Sequence, residues 1–415
     1  MSKGKKWLIT GICLSVLSLL LVAGGFVGYH CLEKHIEDHT NQWRKIEYVA
    51  FTKSTDENPV FIPLSVFEEK IKDYDYRWGD YNTYTYYNCI ETKEEKRIYK
   101  IYEYALENSY PFIYIESRLV PAYKDLSDML ILLSMDSAVV DQNLNIEYFD
   151  EEYQITQQYL YRVMVKNFKC MKIHISDFNE DKTAKIEECE KKAEEILASL
   201  DIESKSTERE KAEAIYHYIG KNIEYKEYED YDYQAFLHDA MIKGSSNCDG
   251  YANTFSLLCN MAGIKCCEKK NNPQTDDIEG HTWNTVLLDG VWYNVDATYA
   301  PRYHKDLMKG IPFRFGFSDA LQFDKHQYVG YAPECTESLL KPDYTFKNNS
   351  DKTIAQKVDK AIDKAEKDYV MLAFEDYDIN KQEDMADDIS YTIYRAFRYV
   401  VYEGSQCTLV FIFPE

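Results

Sequence analysis

The middle of the chain holds three residue types that together suit nucleophilic chemistry: a cysteine, a histidine and an aspartate. They are Cys248, His281 and Asp296. A thiolate can attack a carbonyl carbon, an imidazole can take and return a proton, and a carboxylate can hold that imidazole in the right tautomer. Each of the three lies at the edge of a predicted helix or strand, so these elements decide whether the side chains meet.

Cys248 is predicted to lie at or near the N-terminus of a helix. The polar residues 244–247 offer capping side chains, whereas apolar residues recur at helical spacing over 251–262 and Gly263 ends the pattern. Unpaired amide groups and the helix dipole at that end favour an anion, and therefore the thiolate. A buried structural cysteine is the alternative, but the junction of a polar loop with a helix favours a nucleophile.

The histidine and the aspartate flank a predicted β-hairpin. Residues 281–288 alternate and are rich in β-branched and aromatic side chains, Asp289-Gly290 is a strong two-residue turn, and residues 291–295 form the returning strand. A small register offset would make His281 and Asp296 neighbours on one face. Each alone fits an ordinary strand-edge or turn residue, but their joint occurrence with the cysteine predicts a catalytic triad.

The sequence around these residues resembles the transglutaminase-like superfamily of papain-type cysteine enzymes, in its bacterial membrane-anchored or exported form. The resemblance is carried by C-D-G-Y-A from Cys248 and by G-H-T-W-N and D-G-V-W-Y-N-V-D-A-T further on, within about residues 185–305. It implies that Cys248 is the nucleophile, His281 the general base and Asp296 the residue that holds the imidazole. Family positions that look structural are matched by Gly250, Tyr251, Trp283, Trp292 and Tyr293. Thr282 is a mild departure, since bacterial relatives often carry alanine there.

The resemblance also implies a fold and a reaction. The fold is α+β, with the nucleophile helix packed on an antiparallel sheet. Helix and strand patterns in the flanking sequence predict smaller α/β modules on either side. The reaction is acyl transfer through a thioester, in which water as acceptor gives a peptidase or amidase and an amine gives a crosslink. No metal or organic cofactor is expected. The competing hypothesis is a non-catalytic cell-surface protein that binds peptides or envelope material and keeps the fold.

The N-terminus predicts a membrane anchor. Residues 1–6 carry three lysines, and 7–28 form the anchor or signal, with 21 uncharged apolar residues over 7–27. This length is about enough to cross a ~30 Å hydrocarbon core. The preceding lysines predict a cytoplasmic amino end and an extracellular remainder. Secretion after cleavage of a signal peptide is the alternative.

Composition narrows the partners of the remaining chain. A net charge of −23 argues against nucleic-acid or anionic-lipid binding by the ectodomain, since both require a basic surface. The eleven cysteines include no C-x-x-C pair, so their spacing predicts neither a metal site nor a small disulfide scaffold. We expect a protein or peptide substrate, with cell-envelope material as one candidate.

The ectodomain is predicted to consist of a Tyr-rich α/β domain at 29–180, a catalytic domain at 181–340 and a C-terminal α/β module at 351–415. Six tyrosines over 74–87 predict alternating positions in an exposed sheet, with an aromatic ligand-binding surface as the alternative. Residues 381–400 are predicted to form one helix. Helices and strands over 95–165 follow an order that recurs in the C-terminal module, so the two flanking regions are interpreted as related.

Overall fold

The computed structural model describes residues 3–76, 82–120, 123–137, 147–159, 162–175, 180–228, 236–271, 280–300, 311–312, 314–321, 332–363, 368–394, 396–404 and 406–414. The helices, numbered along the chain, are α1 Lys3–Lys45, α2 Leu64–Ile71, α3 Thr85–Cys89, α4 Lys93–Glu107, α5 Tyr123–Asp136, α6 Glu180–Ser199, α7 Glu208–Asn222, α8 Phe236–His238, α9 Cys248–Met261, α10 Ile354–Ile362 and α11 Gln382–Ile393. The strands are β1 Tyr48–Thr52, β2 Ile62–Pro63, β3 Phe112–Glu116, β4 Glu147–Tyr159, β5 Arg162–His174, β6 Glu224–Tyr225, β7 Ser245–Ser246, β8 Cys266–Lys270, β9 Thr282–Leu288, β10 Val291–Val295, β11 Phe315–Phe317, β12 Tyr344–Asn348, β13 Val370–Asp376, β14 Phe397–Glu403 and β15 Thr408–Pro414.

The chain forms two compact units. The first comprises Met1–Tyr74, Tyr110–Val120 and Ile146–Ile175, and the second comprises Asp75–Ser109, Pro121–Asn145 and Ser176–Glu415. Residues 29–180, which the sequence predicts as one region, are therefore divided between the two units.

The first unit holds α1 and a five-stranded sheet in the order β2-β1-β3-β5-β4, with antiparallel pairing throughout. Its core includes Tyr48, Tyr114 and Phe168. Among the described residues, Cys13–Lys45 of α1 is long enough to span a membrane and contains an 18-residue window with a mean hydropathy of 1.7. A signal sequence near the N-terminus meets the same criteria, so anchor and signal both stay predictions.

The centre of the second unit is an antiparallel sheet in the order β11-β10-β9-β8 with α9 packed on it. Apolar side chains of α9, among them Phe255 and Leu258, meet Val286 and Val295 of the sheet in one buried cluster. The predicted fold class, a helix beginning at the cysteine and packed on an antiparallel sheet, is confirmed. In the β9–β10 turn both Asp289 and Gly290 have positive φ, at 52° and 86°, as a tight two-residue hairpin turn requires.

The tyrosine-rich stretch forms part of a helical layer rather than a strand. Tyr84 precedes α3, and Tyr86 within it is fully buried, with its hydroxyl donating to the Glu268 carbonyl of β8 at 2.6 Å. The prediction of exposed alternating positions is wrong for 84–87, because a buried carboxylate, Asp136 of α5, binds the backbone of this segment and fixes it as a helical turn. Tyr81 lies outside the described residues.

The C-terminal module has the strand order β12-β13-β15-β14, with β12 and β13 parallel and the other pairs antiparallel. The helix predicted over 381–400 ends at Ile393, and 397–403 is β14. The left-handed backbone of Tyr394, with φ of 53°, ends the helix, and β14 then pairs with β15 along its whole length. The interpretation of the flanking regions as related modules is wrong, since the strand orders differ and the first unit lacks a parallel pair among its described strands.

Candidate active site

Cys248 is the first residue of α9, as the sequence predicts. Asn247 caps the helix, and its side-chain oxygen accepts a hydrogen bond from the Gly250 amide at 3.4 Å. Gly250 is required here because a Cβ atom at this position would lie 2.1 Å from Ser246 Oγ and 2.6 Å from the Phe236 carbonyl oxygen. Cys248 thus lies at the positive end of a helix, and the residue is 8% exposed.

The hairpin brings His281 and Asp296 together. Val295 pairs with Asn284, and this register continued by one residue places Asp296 opposite Trp283, two residues beyond His281. A diagonal contact across the hairpin then joins His281 Nε2 to Asp296 Oδ2 at 2.9 Å. The histidine side chain is 18% exposed and the aspartate 1% exposed, so the aspartate is the more deeply buried member of the pair.

The third predicted residue joins the same group. The thiol of Cys248 is a neighbour of the His281 ring and helps to raise the pKa of that ring. Since Asp296 engages Nε2, the other ring nitrogen, Nδ1, is left for the thiol. The structure therefore places the three side chains in one contact series that runs from thiol to imidazole to carboxylate.

Charge interactions dominate the ionisation of the imidazole and the carboxylate. Burial lowers the pKa of His281, but the charge and hydrogen bond of Asp296, with the contact to Cys248, raise it well above its ordinary value. Burial raises the pKa of Asp296, but His281, the Arg314 guanidinium and a hydrogen bond from Thr298 bring it below its ordinary value. The fold therefore favours an imidazolium beside an ionised carboxylate.

Aromatic rings fix the orientation of the imidazole. Trp283 stacks against His281 with ring centroids 5.9 Å apart and an interplanar angle of 20°. The indole nitrogen of Trp283 donates to Asn294 Oδ1 at 3.1 Å, which holds the indole in place. Tyr299 meets the imidazole edge to face at 6.1 Å. These contacts hold the imidazole ring in the plane in which it faces Cys248 and Asp296.

The other residues predicted as structural lie in the surrounding core. The buried Tyr251 hydroxyl donates to the Ile223 carbonyl at 2.7 Å, which ties α9 to the end of α7. Tyr293 is buried in the main apolar cluster, and Trp292 is half-buried on β10 opposite Leu287. No cluster of three or more His, Cys, Asp or Glu side chains that suits a metal ion occurs among the described residues.

Several residues at the site were missed by sequence reasoning. The buried Arg314 lies over the Tyr299 ring at 4.8 Å, and its backbone carbonyl accepts a hydrogen bond from the Asp296 amide at 2.9 Å. Asp249 accepts a hydrogen bond from Thr282, the residue at which the sequence departs from the family pattern. The threonine at position 282 was the one sequence signal for the contact with Asp249. Arg314 lies in no recognisable motif, so the sequence offered no signal for its contacts.

Comparison with known proteins finds a family match for the region of the site. Residues 196–297, a segment that contains all three side chains, match the family model of the transglutaminase-like superfamily. The central region is a transglutaminase-like domain. Kyphoscoliosis peptidase of Homo sapiens is 34% identical over 118 residues, which are 26% of this chain and 18% of that protein. The Mus musculus protein of the same name is 33% identical over 117 residues, 25% of this chain and 18% of its own length. This chain thus spans less than a fifth of these curated relatives.

The matches to solved structures are distant. One described as a TGase has a TM-score of 0.26 and 14% identity, with 38% of this chain and 47% of that chain covered. A putative cysteine protease from Cytophaga hutchinsonii has a TM-score of 0.22 and 13% identity, covering 38% and 66%. The periplasmic domain of TgpA from Pseudomonas aeruginosa has a TM-score of 0.23 and 12% identity, covering 40% and 74%.

Proposed function

We propose that this protein is a cysteine acyl-transfer enzyme with Cys248 as nucleophile, His281 as general base and acid, and Asp296 as the residue that orients the imidazole. The observation that carries this proposal is the contact series from the Cys248 thiol through the His281 ring to Asp296 Oδ2, 2.9 Å from His281 Nε2. An imidazolium held by a buried carboxylate stabilises a neighbouring thiolate, which is the nucleophilic form.

The reaction follows from the positions of these groups. The Cys248 sulfur attacks the carbonyl carbon of a carboxamide or peptide bond, and the carbonyl oxygen becomes an oxyanion near the Cys248 amide at the helix N-terminus. His281 gives its proton to the leaving amine as the carbon–nitrogen bond breaks, which leaves a thioester. Water or an amine then gives a proton to His281 and attacks the thioester, releasing an acid or a new amide together with the regenerated cysteine.

A protein or peptide is the proposed substrate class. The curated relatives carry the name peptidase, and a cysteine nucleophile with a histidine base suits attack on a carboxamide or peptide carbonyl. We propose that the enzyme acts outside the cytoplasm with α1 as its membrane anchor, because lysines precede the apolar part of this helix.

Iodoacetamide labelling of the full chain in detergent tests the proposed thiolate–imidazolium pair. Peptide-resolved mass spectrometry follows each cysteine from about pH 5 to about pH 10, a range that brackets the ordinary titration of histidine and cysteine. Cys89 is accessible to the reagent and serves as an internal reference. Partial burial of its thiol and the charge of Asp136 raise the pKa of Cys89, so this residue labels only in alkaline solution.

We expect Cys248 to label well below the pH at which Cys89 labels, and His281→Ala to move Cys248 labelling to alkaline pH. Cys248→Ala identifies the peptide signal. If the wild-type and His281→Ala proteins label Cys248 with the same pH dependence, the proposed enzyme is rejected. The binding hypothesis would then be favoured.

A further inference from the structure

A hydrogen bond beside the proposed catalytic pair joins the helix of the cysteine to the strand of the histidine. Asp249 directly follows Cys248, and Thr282 directly follows His281. Thr282 Oγ1 donates to Asp249 Oδ1 at 2.7 Å. Thr282 is 4% exposed and the Asp249 side chain 20% exposed, so the bond is largely shielded from water. It connects the two chain segments within one residue of both reacting groups.

The Asp249 carboxylate is held from several sides. Lys270 Nζ lies 3.6 Å from Oδ1, and the Asn247 side-chain amide donates to Oδ2 at 3.3 Å. As the second residue of α9, Asp249 also lies where the helix dipole favours a negative charge. The acceptor for the Thr282 hydroxyl is therefore charged and fixed in position, which strengthens the hydrogen bond.

A second side-chain hydrogen bond joins the same helix and strand further from the site. Asn284, two residues after Thr282 on the same face of β9, donates through its amide to the Ala252 carbonyl at 3.0 Å. The Asn284 bond holds the two elements together in the interior, and the Thr282 bond does so at the end where the thiol meets the imidazole. Removal of the outer bond would leave that end held by the inner bond and apolar packing.

Building on the enzyme proposed above, we propose that Asp249 and Thr282 are positioning residues that form a clamp and set the separation of the Cys248 sulfur from the His281 ring. A hydrogen bond between a thiol and an imidazole is weak, so it does not fix this separation by itself. Adjacent Cα atoms are about 3.8 Å apart, so a shift at either clamp residue is passed directly to its neighbour. Displacements of about 1 Å at a reacting centre can reduce a rate by about 10²-fold.

The clamp is tested by Thr282→Val, which replaces the hydroxyl with a methyl group of similar size. Thr282→Ser restores a hydroxyl. Thr285→Val makes the same chemical change on the same strand, at a buried residue whose hydroxyl lies near the Tyr293 carbonyl and Cys335 Sγ. The readouts are the pH dependence of Cys248 alkylation and the thermal unfolding midpoint. We expect about a tenfold slower alkylation near neutral pH in Thr282→Val, most of the rate in Thr282→Ser, and the wild-type profile in Thr285→Val.

Asp249→Ala removes the carboxylate that accepts the hydrogen bond from Thr282. Asp249 is the more exposed of the two clamp residues, so this variant provides the same test if Thr282→Val does not fold. We expect the double variant to be no slower than the slower single variant, because both changes remove one hydrogen bond. The clamp is rejected if the alkylation rate of Thr282→Val stays within twofold of wild type. If Thr282→Val does not fold, the same criterion applies to Asp249→Ala. The clamp is also rejected if Thr282→Ser is as impaired as Thr282→Val. All of these comparisons use the pH profile of Cys248 alkylation in the wild-type protein. If His281→Ala does not change that profile, the proposed enzyme itself is rejected, whatever the clamp variants show.

Discussion

Two buried carboxylates in the second unit show how the same group is set for different roles. Asp296 lies next to an imidazole and near a guanidinium, and its pKa falls below its ordinary value although burial opposes ionisation. Asp136 is fully buried and accepts hydrogen bonds at 2.9–3.0 Å from the Tyr86 and Tyr87 amides and from the Thr83 and Tyr99 hydroxyls. Burial nevertheless raises its pKa, even with these hydrogen bonds opposing the shift.

The difference lies in the charge of the partners. Neutral donors solvate the Asp136 carboxylate without compensating its charge, whereas His281 and Arg314 offer positive charge to Asp296. The Asp136 site organises α3, α4 and α5, and the Asp296 site favours a protonated imidazole. Burial alone therefore does not decide the ionisation of a carboxylate, whereas the charge of its partners does.

The largest effect is expected from Asp136→Ala. Loss of the carboxylate leaves four donors without their acceptor, so we expect the free energy of unfolding to fall by roughly 3–5 kcal/mol. Chemical denaturation measures this change. The pH dependence of Cys248 alkylation in the folded fraction should match wild type, and a shifted profile would contradict the division between structural and catalytic carboxylates.

The two carboxylates should also oppose each other in pH dependence. The raised pKa of Asp136 gives stability that is present below its unfolded pKa and lost as pH rises through the folded pKa. The lowered pKa of Asp296 gives stability that is present above its unfolded pKa and lost as pH falls through the folded pKa. Unfolding measured across acid pH in Asp136→Ala should lack the first contribution, and an unchanged slope would argue against it.

Asp296→Asn should have the next largest effect. It removes the charge that raises the pKa of His281, so burial dominates and that pKa falls. We expect alkylation of Cys248 near neutral pH to slow by roughly ten- to a hundredfold, since each unit of pKa is about tenfold. NMR titration of the His281 ring checks the cause directly. A ring that titrates as in wild type would show that Asp296 does not control it.

Arg314→Met tests the second cation with a smaller expected effect. The methionine side chain keeps much of the packing against Tyr299 and Phe317 but removes the charge. We expect the acid-side loss of stability to begin at a higher pH, by about one unit or less, because one of the groups that lower the pKa of Asp296 is gone. Acid unfolding followed by circular dichroism measures the shift, and a curve that matches wild type would mean that Arg314 does not contribute to the lowered pKa of Asp296.

Tyr86→Phe should have the smallest effect. It removes the hydroxyl that donates to the Glu268 carbonyl and leaves the ring in place. We expect a loss of about 1 kcal/mol in the free energy of unfolding with no change in Cys248 alkylation. A loss several times larger would mean that the hydrogen bond supports the structure of β8 beyond its own contribution.

The sequence predicts what local patterns determine. The helix beginning at Cys248 follows from a polar run and helical periodicity, and the hairpin follows from alternation around Asp289-Gly290. The contact of His281 with Asp296 needed only a two-residue offset within that hairpin. Thr282 and Asp249 are also local to these elements, but their contact depends on how α9 lies across β9, which no single segment encodes.

The rest depends on contacts between distant segments. Tyr86 and Asp136 become buried only because α3 and α5 pack near β8, and no periodicity in residues 74–87 indicates that partner. Arg314 reaches Tyr299 and the Asp296 backbone through the β10–β11 pairing. The end of α11 at Ile393 was missed because an apolar run of this length fits either a helix or a strand until β15 pairs with it.

The hydrogen bond from Tyr86 to β8 spans 182 residues, which has a consequence for biosynthesis. At about 5–20 residues per second, a ribosome needs roughly 10 to 40 s to make Glu268 after Tyr86 has been added. For most of that interval α3, α4 and α5 have all been made, but the strand that covers them has not. The newly made segment therefore exposes aromatic surface for that time, and a chaperone that holds it should raise the yield of folded protein more than one that acts on the finished chain.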